Sequence, residues 1–277
     1  MTIQMINQTV LIIGLGNMGS ALAEGLMQLD SCPQLILCEH NSDRHEQLQT
    51  QFPTATLITQ YDQCHTAPDI VILAVKPKDI KSTCQQLATE LPNDTLILSI
   101  AAGVPSVAIL SWLGEQHSVI RCMPNTPASI GVGMSGLYTP TQTSTQHKAL
   151  AQQIMLATGK VLWLDSEEKI DALTAISGSG PAYVFHLMSC LQKAGESLGF
   201  SQDETRLMVQ QTVLGAAQLA QNDVPFLQLQ KNVTSKGGTT ESALNIFHQH
   251  NLESIVQEAL DAAYRRAAEI SNTCKDK

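Results

Sequence analysis

The hexapeptide Gly14-Leu15-Gly16-Asn17-Met18-Gly19 directly follows the apolar run Thr9–Ile13 and opens the helix-forming stretch Ser20–Leu29. A G-x-G-x-x-G sequence is informative only in that strand–turn–helix setting. There Gly14 permits the tight turn, Gly16 lets backbone approach a pyrophosphate, and Gly19 lets the helix pack close on the strand. The free N–H groups and dipole of the helix start then favour negative charge. The segment predicts a dinucleotide-binding βαβ unit that contacts its ligand through Gly14, Leu15, Gly16, Asn17, Met18 and Gly19. The alternative is a turn made glycine-rich for steric reasons alone.

The rest of the first half agrees with such a unit. Short β-rich runs at Val10–Ile13, Leu35–Cys38, Ile70–Ala74, Leu96–Ser99, Val119–Cys122 and Val161–Leu164 alternate with helical stretches. They show little polar alternation, as expected when helices cover both faces of a parallel sheet. After Asp165 the strand signal stops and three- and four-residue apolar spacing takes over, for example in 203–222 and 252–270. Asp165-Ser166-Glu167-Glu168 supplies a cap and first-turn acids at that boundary. The predicted class is therefore α/β. It has an N-terminal doubly wound, Rossmann-type, mainly parallel sheet (residues 1–164) and an all-helical C-terminal domain (165–277). Gly178-Ser179-Gly180-Pro181 falls inside one long predicted helix, 167–198, and should kink it or open a turn.

Composition excludes several partner classes. The net charge is −9, whereas docking on phosphate backbones or anionic lipid needs clustered Lys and Arg, so no nucleic acid or membrane partner is expected. Apolar runs such as Val10–Leu15 are far short of a bilayer span, and Met1–Thr9 carries no basic residue of the kind a secretory leader begins with. A cytoplasmic protein is expected. The seven cysteines, at 32, 38, 64, 84, 122, 190 and 274, form no C-x-x-C pair and read as thiols in a reducing compartment. His186, His248 and His250 lack partners at ligand spacing, and no metal is expected.

Glu39 ends the second predicted strand, twenty residues after Gly19, where an acid holds the adenosine ribose hydroxyls in NAD proteins. His40, Asn41 and Arg44 follow, and Arg44 is suited to neutralise a 2′-phosphate. These four residues are candidate cofactor contacts, and they leave NADH and NADPH both open.

Further segments fall at strand ends or in loops, where doubly wound proteins assemble their sites. They are Ala74-Val75-Lys76-Pro77, Ser99-Ile100-Ala101-Ala102-Gly103-Val104, Arg121 to Pro127 around Asn125, Ser177 to Tyr183, and Thr234-Ser235-Lys236-Gly237-Gly238-Thr239-Thr240. In this order, and over nearly the whole chain, the series resembles the pyrroline-5-carboxylate reductase family. The resemblance implies reduction of Δ1-pyrroline-5-carboxylate to L-proline by hydride transfer from NADPH or NADH. It also implies that Ala74, Val75, Lys76, Pro77, Ala101, Ala102, Gly103 and Asn125 join the cofactor site, and that the helical domain forms a homodimer or an assembly of dimers. Pro77 stops a strand, and Ala101 to Gly103 present backbone with little side-chain bulk, as a flat ring requires.

By the same resemblance Ser235, Gly237, Gly238, Thr239 and Thr240 bind the small-molecule substrate, with Asn232 and Glu167 at further matching positions, Glu167 at the domain junction. Two glycines followed by two threonines can also converge backbone N–H groups on a carboxylate, independently of any family. Thr240 matches the hydroxyl that bonds the ring nitrogen and assists its protonation, and is the candidate catalytic residue. The plainer role for Thr240 is to cap the helix 241–248. Lys236 departs from the commoner proline of the family, which loosens this loop. Two rival readings remain from the residues. A hydroxyacid dehydrogenase would need a lysine base such as Lys169 or Lys193, and a nicotinamide-binding module would have lost catalysis.

Overall fold

Parallel pairing of buried strands dominates the computed structural model, which describes residues 8–140 and 143–275. Residues 1–7, on which the expectation about a secretory leader rests, and the Cys274 side chain lie outside the described residues. The strands are β1 (Thr9–Ile13), β2 (Gln34–Cys38), β3 (Thr56–Ile58), β4 (Ile70–Leu73), β5 (Leu96–Ser99), β6 (Ser118–Met123), β7 (Gly133–Tyr138) and β8 (Gly159–Trp163). The helices are α1 (Asn17–Met27), α2 (His45–Gln51), α3 (Ile80–Leu87), α4 (Ser106–Leu113), α5 (Thr145–Leu156), α6 (Glu168–Leu173), α7 (Gly180–Ser197), α8 (Gln202–Leu219), α9 (Phe226–Asn232), α10 (Thr239–Gln249) and α11 (Leu252–Lys275).

The strands form one sheet in the order β3-β2-β1-β4-β5-β6-β7-β8, and only the β6–β7 pair is antiparallel. Successive residues of β1 face opposite cores. Val10 and Ile12 pack with Leu22 and Leu26 of α1 and Ile154 of α5, while Leu11 and Ile13 pack with Ile80 of α3 and Ile109 of α4. Both faces are covered, which is why these strands read as continuous apolar runs. Each wholly buried Leu or Ile stabilises the sheet by about 1.5–3 kcal/mol.

The α/β class with a helical C-terminal region holds, and six strands stand where expected to within two residues. Two were missed. β3 is only three residues long, and β7 contains Gly133 and Gly136, whose β propensity is poor. β1 and β4 are neighbours whose following connections leave toward opposite sides of the sheet, so the turns after them meet at the switch point where doubly wound folds bind ligands.

The chain forms two compact units, Met1–Ser179 with Ala263–Lys277, and Gly180–Ala262. Residues 165–179 and 263–275 therefore belong with the sheet. The expected break near Gly178 is a π-helical turn at Thr174–Gly178, which ends α6 before Gly180 and Pro181 start α7. In the second unit α8 starts with a capping box in which Ser201 and Glu204 satisfy each other's backbone N–H groups. α7 packs on α8 at Gly195, where a Cβ would meet the Thr205 methyl at 2.5 Å. No residue of α7, α9 or α10 is buried, and Phe185, Leu214, Phe226 and Ile246 are all more than half exposed. Apolar surface of that extent is ordinarily covered by a partner.

Candidate active site

The glycine turn divides its three glycines by function. Gly14 has φ +96°, and an added Cβ would lie 2.9 Å from the Ala74 backbone, so it lets the turn after β1 touch the end of β4. At Gly19 a Cβ would lie 2.0 Å from the Gly14 carbonyl oxygen, which no side chain can meet. At Gly16 nothing stands within 4 Å. Internal packing thus accounts for Gly14 and Gly19 but not Gly16. Gly16 also caps α1 without a side-chain hydrogen bond, so the open space faces the N–H groups that begin the helix. A pyrophosphate fits there on both steric and electrostatic grounds.

That space belongs to a cleft of about 1010 Å³ in the first unit, which gathers Gly14, Leu15, Gly16, Glu39, His40, Asn41, Arg44, Ala74, Val75 and Lys76. Asn17, Met18 and Gly19 follow in α1 without lining it, and Pro77 starts the 3-10 turn Pro77–Asp79 beside Lys76. Gln60, Tyr61 and Lys78 also line the cleft. The first two follow β3 and escape sequence reasoning because that strand does. Burial, with the nearby Cys64 and Glu90, pushes the Tyr61 hydroxyl up to about 12. Burial and then the Glu39 carboxylate push the Cys38 thiol up to about 11, so it stays a thiol at neutral pH and is no nucleophile.

Glu39 and Arg44 meet across the turn. Arg44 donates from Nη1 to Glu39 Oε2 at 2.8 Å and from Nη2 to the Leu15 carbonyl at 2.7 Å. Glu39 also accepts the Leu15 N–H on Oε2 at 3.3 Å and the Asn41 N–H on Oε1 at 3.1 Å.

Ala101 to Gly103 and Asn125 do not line this cleft. Ala101 is buried and Ala102 exposed, while Gly103 takes φ +74° against α11, where a Cβ would come within 2.3 Å of Ile270 Cγ2. Asn125 is an internal brace. Its Nδ2 donates to the Ser177 carbonyl and hydroxyl, both at 3.2 Å, and its Oδ1 accepts the Met134 N–H at 2.9 Å. Glu167 accepts from the Ser106 N–H at 2.7 Å, the Ser106 hydroxyl at 3.0 Å and Arg121 at 3.3 Å. The sequence marks Arg121 only as the start of the segment around Asn125 and assigns this charge inside an apolar strand no role.

The Ser235–Thr240 loop lies in the second unit and joins α9 to α10. Gly237 has φ +75° and donates its N–H to Glu241 Oε2 at 2.7 Å. Gly238 donates to the Ser235 carbonyl at 3.0 Å and stands at the N-cap. The loop therefore already holds one carboxylate oxygen on a glycine N–H. Thr239 and Thr240 form the first turn of α10, and no side chain caps that helix, so Thr240 does not act as its cap. Asn232, at the end of α9, accepts from Gln228 at 2.8 Å. Lys169, one of the two lysines considered as the base of a hydroxyacid dehydrogenase, is paired with Asp165 at 2.8 Å on the surface. Among the described residues no group of three or more His, Cys, Asp or Glu stands close enough to hold a metal, and no helix is long and apolar enough to cross a membrane.

Comparison with known proteins bears on the whole chain. The family described as pyrroline-5-carboxylate reductase dimerisation matches residues 167–270, and NADP oxidoreductase coenzyme F420-dependent matches residues 9–103. Pyrroline-5-carboxylate reductase of Pseudomonas aeruginosa is 41% identical over 264 residues, 95% of this chain and 96% of that protein. The structure of a pyrroline-5-carboxylate reductase from Coxiella burnetii superposes with a TM-score of 0.90 at 37% identity, covering 96% of this chain and 99% of that one. The Plasmodium falciparum pyrroline carboxylate reductase with NADP bound gives 0.84 at 27% identity, with 96% and 99% coverage.

Proposed function

The chain belongs to the pyrroline-5-carboxylate reductase family, and from that premise we propose how its own residues reduce Δ1-pyrroline-5-carboxylate to L-proline, the last step of proline biosynthesis. The observation that carries the reading is Gly16, a glycine that internal packing does not require, at an uncapped helix start inside a large cleft. NAD(P)H bound there supplies the hydride.

Gly14 to Gly19 hold the pyrophosphate, while Glu39, His40, Asn41 and Arg44 surround the adenosine end. Ala74, Val75, Lys76 and Pro77, with Ala101, Ala102, Gly103 and Asn125, shape the wall toward the nicotinamide. Ser235, Gly237, Gly238 and Thr239 take the substrate carboxylate, and Asn232 stands at the end of the preceding helix. The Gly237 N–H is held by the Glu241 carboxylate in this structure, and the substrate carboxylate takes that donor by displacing it. Thr240 donates to the ring nitrogen as the imine is protonated. Glu167 adds a substrate-facing acid to its role as partner of Ser106 and Arg121. Positioning is the main catalytic contribution, of roughly 7–11 kcal/mol in well-oriented systems.

In this reading residues 1–164 bind the dinucleotide and residues 165–277 bind substrate and dimerise, the exposed apolar faces of α7 to α10 supporting a homodimer or an assembly of dimers. The partner is a small anionic heterocycle, not nucleic acid or membrane, and the enzyme works in the cytoplasm. Loss of NAD(P)H absorbance on addition of pyrroline-5-carboxylate, with stoichiometric proline, is the test. No oxidation of either cofactor would refute the activity, and full activity in a species that sediments as a monomer would remove the dimer.

A further inference from the structure

We propose that Ile270 and Ser271, neighbours near the end of α11, are positioning residues that hold the loop Ala101–Ser106 in place against the nicotinamide half of the cofactor. The inference rests on that loop being the nicotinamide wall, as in the function proposed above.

The loop leaves the C-terminal end of β5, on the same edge of the sheet as the turn after β1, with only β4 between the two strands. From Ala101 to Ser106 every residue is buried except Ala102. The surface offered is therefore one methyl group and the backbone beside it, which suits the face of a flat ring. Such a surface has no long side chain to fix its height. The Ala101 N–H reaches the Ser99 hydroxyl at 3.4 Å, a long bond that holds the loop weakly. Side chains from other elements supply the rest, and α11 contributes at both ends.

Ile270 backs the loop at Gly103. This glycine takes φ +74°, and a Cβ built on it would come within 2.3 Å of Ile270 Cγ2, so the backbone lies directly on that methyl. Ile270 is itself 38% exposed, so burial of its own surface is a minor part of its role.

Ser271 acts at the other end of the loop, through two carboxylates. Its hydroxyl donates to Asp171 Oδ1 at 2.8 Å, and Arg121 Nη2 lies 3.3 Å from both groups. The other arm of Arg121 reaches Glu167 Oε1 at 3.3 Å. Glu167 then accepts the Ser106 N–H at 2.7 Å and the Ser106 hydroxyl at 3.0 Å, at the start of α4, where the N-cap residue Pro105 provides no side-chain bond. Consecutive residues of α11 thus grip the loop twice, Ile270 by contact and Ser271 through Asp171, Arg121 and Glu167. Neither lines the cleft. Charge-assisted bonds in a buried network keep their geometry, and hydride transfer tolerates little displacement, since a shift of about 1 Å can cost on the order of a hundredfold in rate.

The test uses the full chain and three variants, Ile270→Ala, Ile270→Val and the double variant Ile270→Ala with Ser271→Ala. Removing the Ser271 hydroxyl leaves the Arg121–Asp171 pair in place. The measurements are kcat with pyrroline-5-carboxylate, the melting temperature, and calorimetric binding of NADPH and of 2′-phospho-ADP-ribose, the same molecule without its nicotinamide ring. The double variant should lose about tenfold or more in kcat, and Ile270→Val, which keeps Cγ2, should stay within about twofold of the unmutated enzyme. NADPH should bind the alanine variants about threefold or more weakly, while 2′-phospho-ADP-ribose binds as before, because only the nicotinamide half has lost its support.

A kcat within about twofold of the unmutated value in the double variant would overturn the inference. So would equal weakening of the two ligands, which is what a general loss of structure produces. If the double variant does not fold, Ile270→Ala against Ile270→Val decides. If the unmutated protein oxidises no cofactor with pyrroline-5-carboxylate, the proposed activity is refuted, and the inference then stands on selective weakening of NADPH in Ile270→Ala and is overturned by its absence.

Discussion

Arg121 Nη1 lies 3.3 Å from Glu167 Oε1, the same oxygen that accepts the Ser106 N–H at 2.7 Å. Through this carboxylate, β6 is joined to the first residue of α4. The other arm of Arg121 lies 3.3 Å from both Asp171 and Ser271, and Ser271 donates to Asp171 at 2.8 Å, so the network also holds the C-terminal part of α11.

Arg121 is the cation that pairs with both Glu167 and Asp171, and Arg121→Met leaves both carboxylates without it. Breaking a buried ion pair from one side costs about 3–5 kcal/mol. The urea midpoint should fall accordingly, and a variant within about 1 kcal/mol of the unmutated protein would show that the network contributes little.

Gly16 and Gly19 should respond oppositely to alanine. At Gly19 the methyl would collide with a backbone oxygen 2.0 Å away, so Gly19→Ala should be strongly destabilised. At Gly16 the methyl enters open space, so Gly16→Ala should melt near the unmutated temperature yet bind NADPH about tenfold or more weakly, because the space is needed by the phosphates. Undiminished NADPH binding in Gly16→Ala would place the pyrophosphate elsewhere.

Thr240→Ala should lower kcat by about tenfold to a hundredfold while changing the NADPH dissociation constant little. Since no side chain caps α10, thermal stability should change by well under the roughly 1 kcal/mol of a lost cap. An unaltered kcat would remove Thr240 from the chemistry.

His117 is buried beside Gln116, its Nδ1 has no hydrogen-bond partner, and burial, partly opposed by Asp94, lowers its pKa from the ordinary 6.5. The folded state therefore prefers neutral imidazole. Its contribution is fully present above the unfolded pKa and is lost as pH falls from there toward the folded pKa, because only the unfolded chain takes up the proton. Unfolding free energy should decline below about pH 6.5, by at most about 1.4 kcal/mol per pH unit from this group, and His117→Gln should flatten the decline. An unchanged pH profile in that variant would assign the acid sensitivity elsewhere.

What could be read without coordinates was local. The turn Gly14 to Gly19, six of the eight strands and the interruption near Gly178 all follow from residue types within a few positions of one another, because backbone preference and apolar periodicity act over that range. β7 was hidden for the same reason. Its Gly133 and Gly136 argue against a strand locally, but a Cβ there would strike Ala128 at 2.8 Å and Leu173 at 2.5 Å, neighbours supplied by other elements.

The sequence by itself determined the fold class, the dinucleotide turn and the family-specific order of loops. Only the tertiary structure decided that Arg121 is an internal cation whose Ser271 partner lies 150 residues away, and that the oxygens of Glu39 are committed to Leu15, Asn41 and Arg44. A polar side chain takes its role from whichever donors and acceptors the fold brings to it, and across such separations the chain leaves no local mark of that choice.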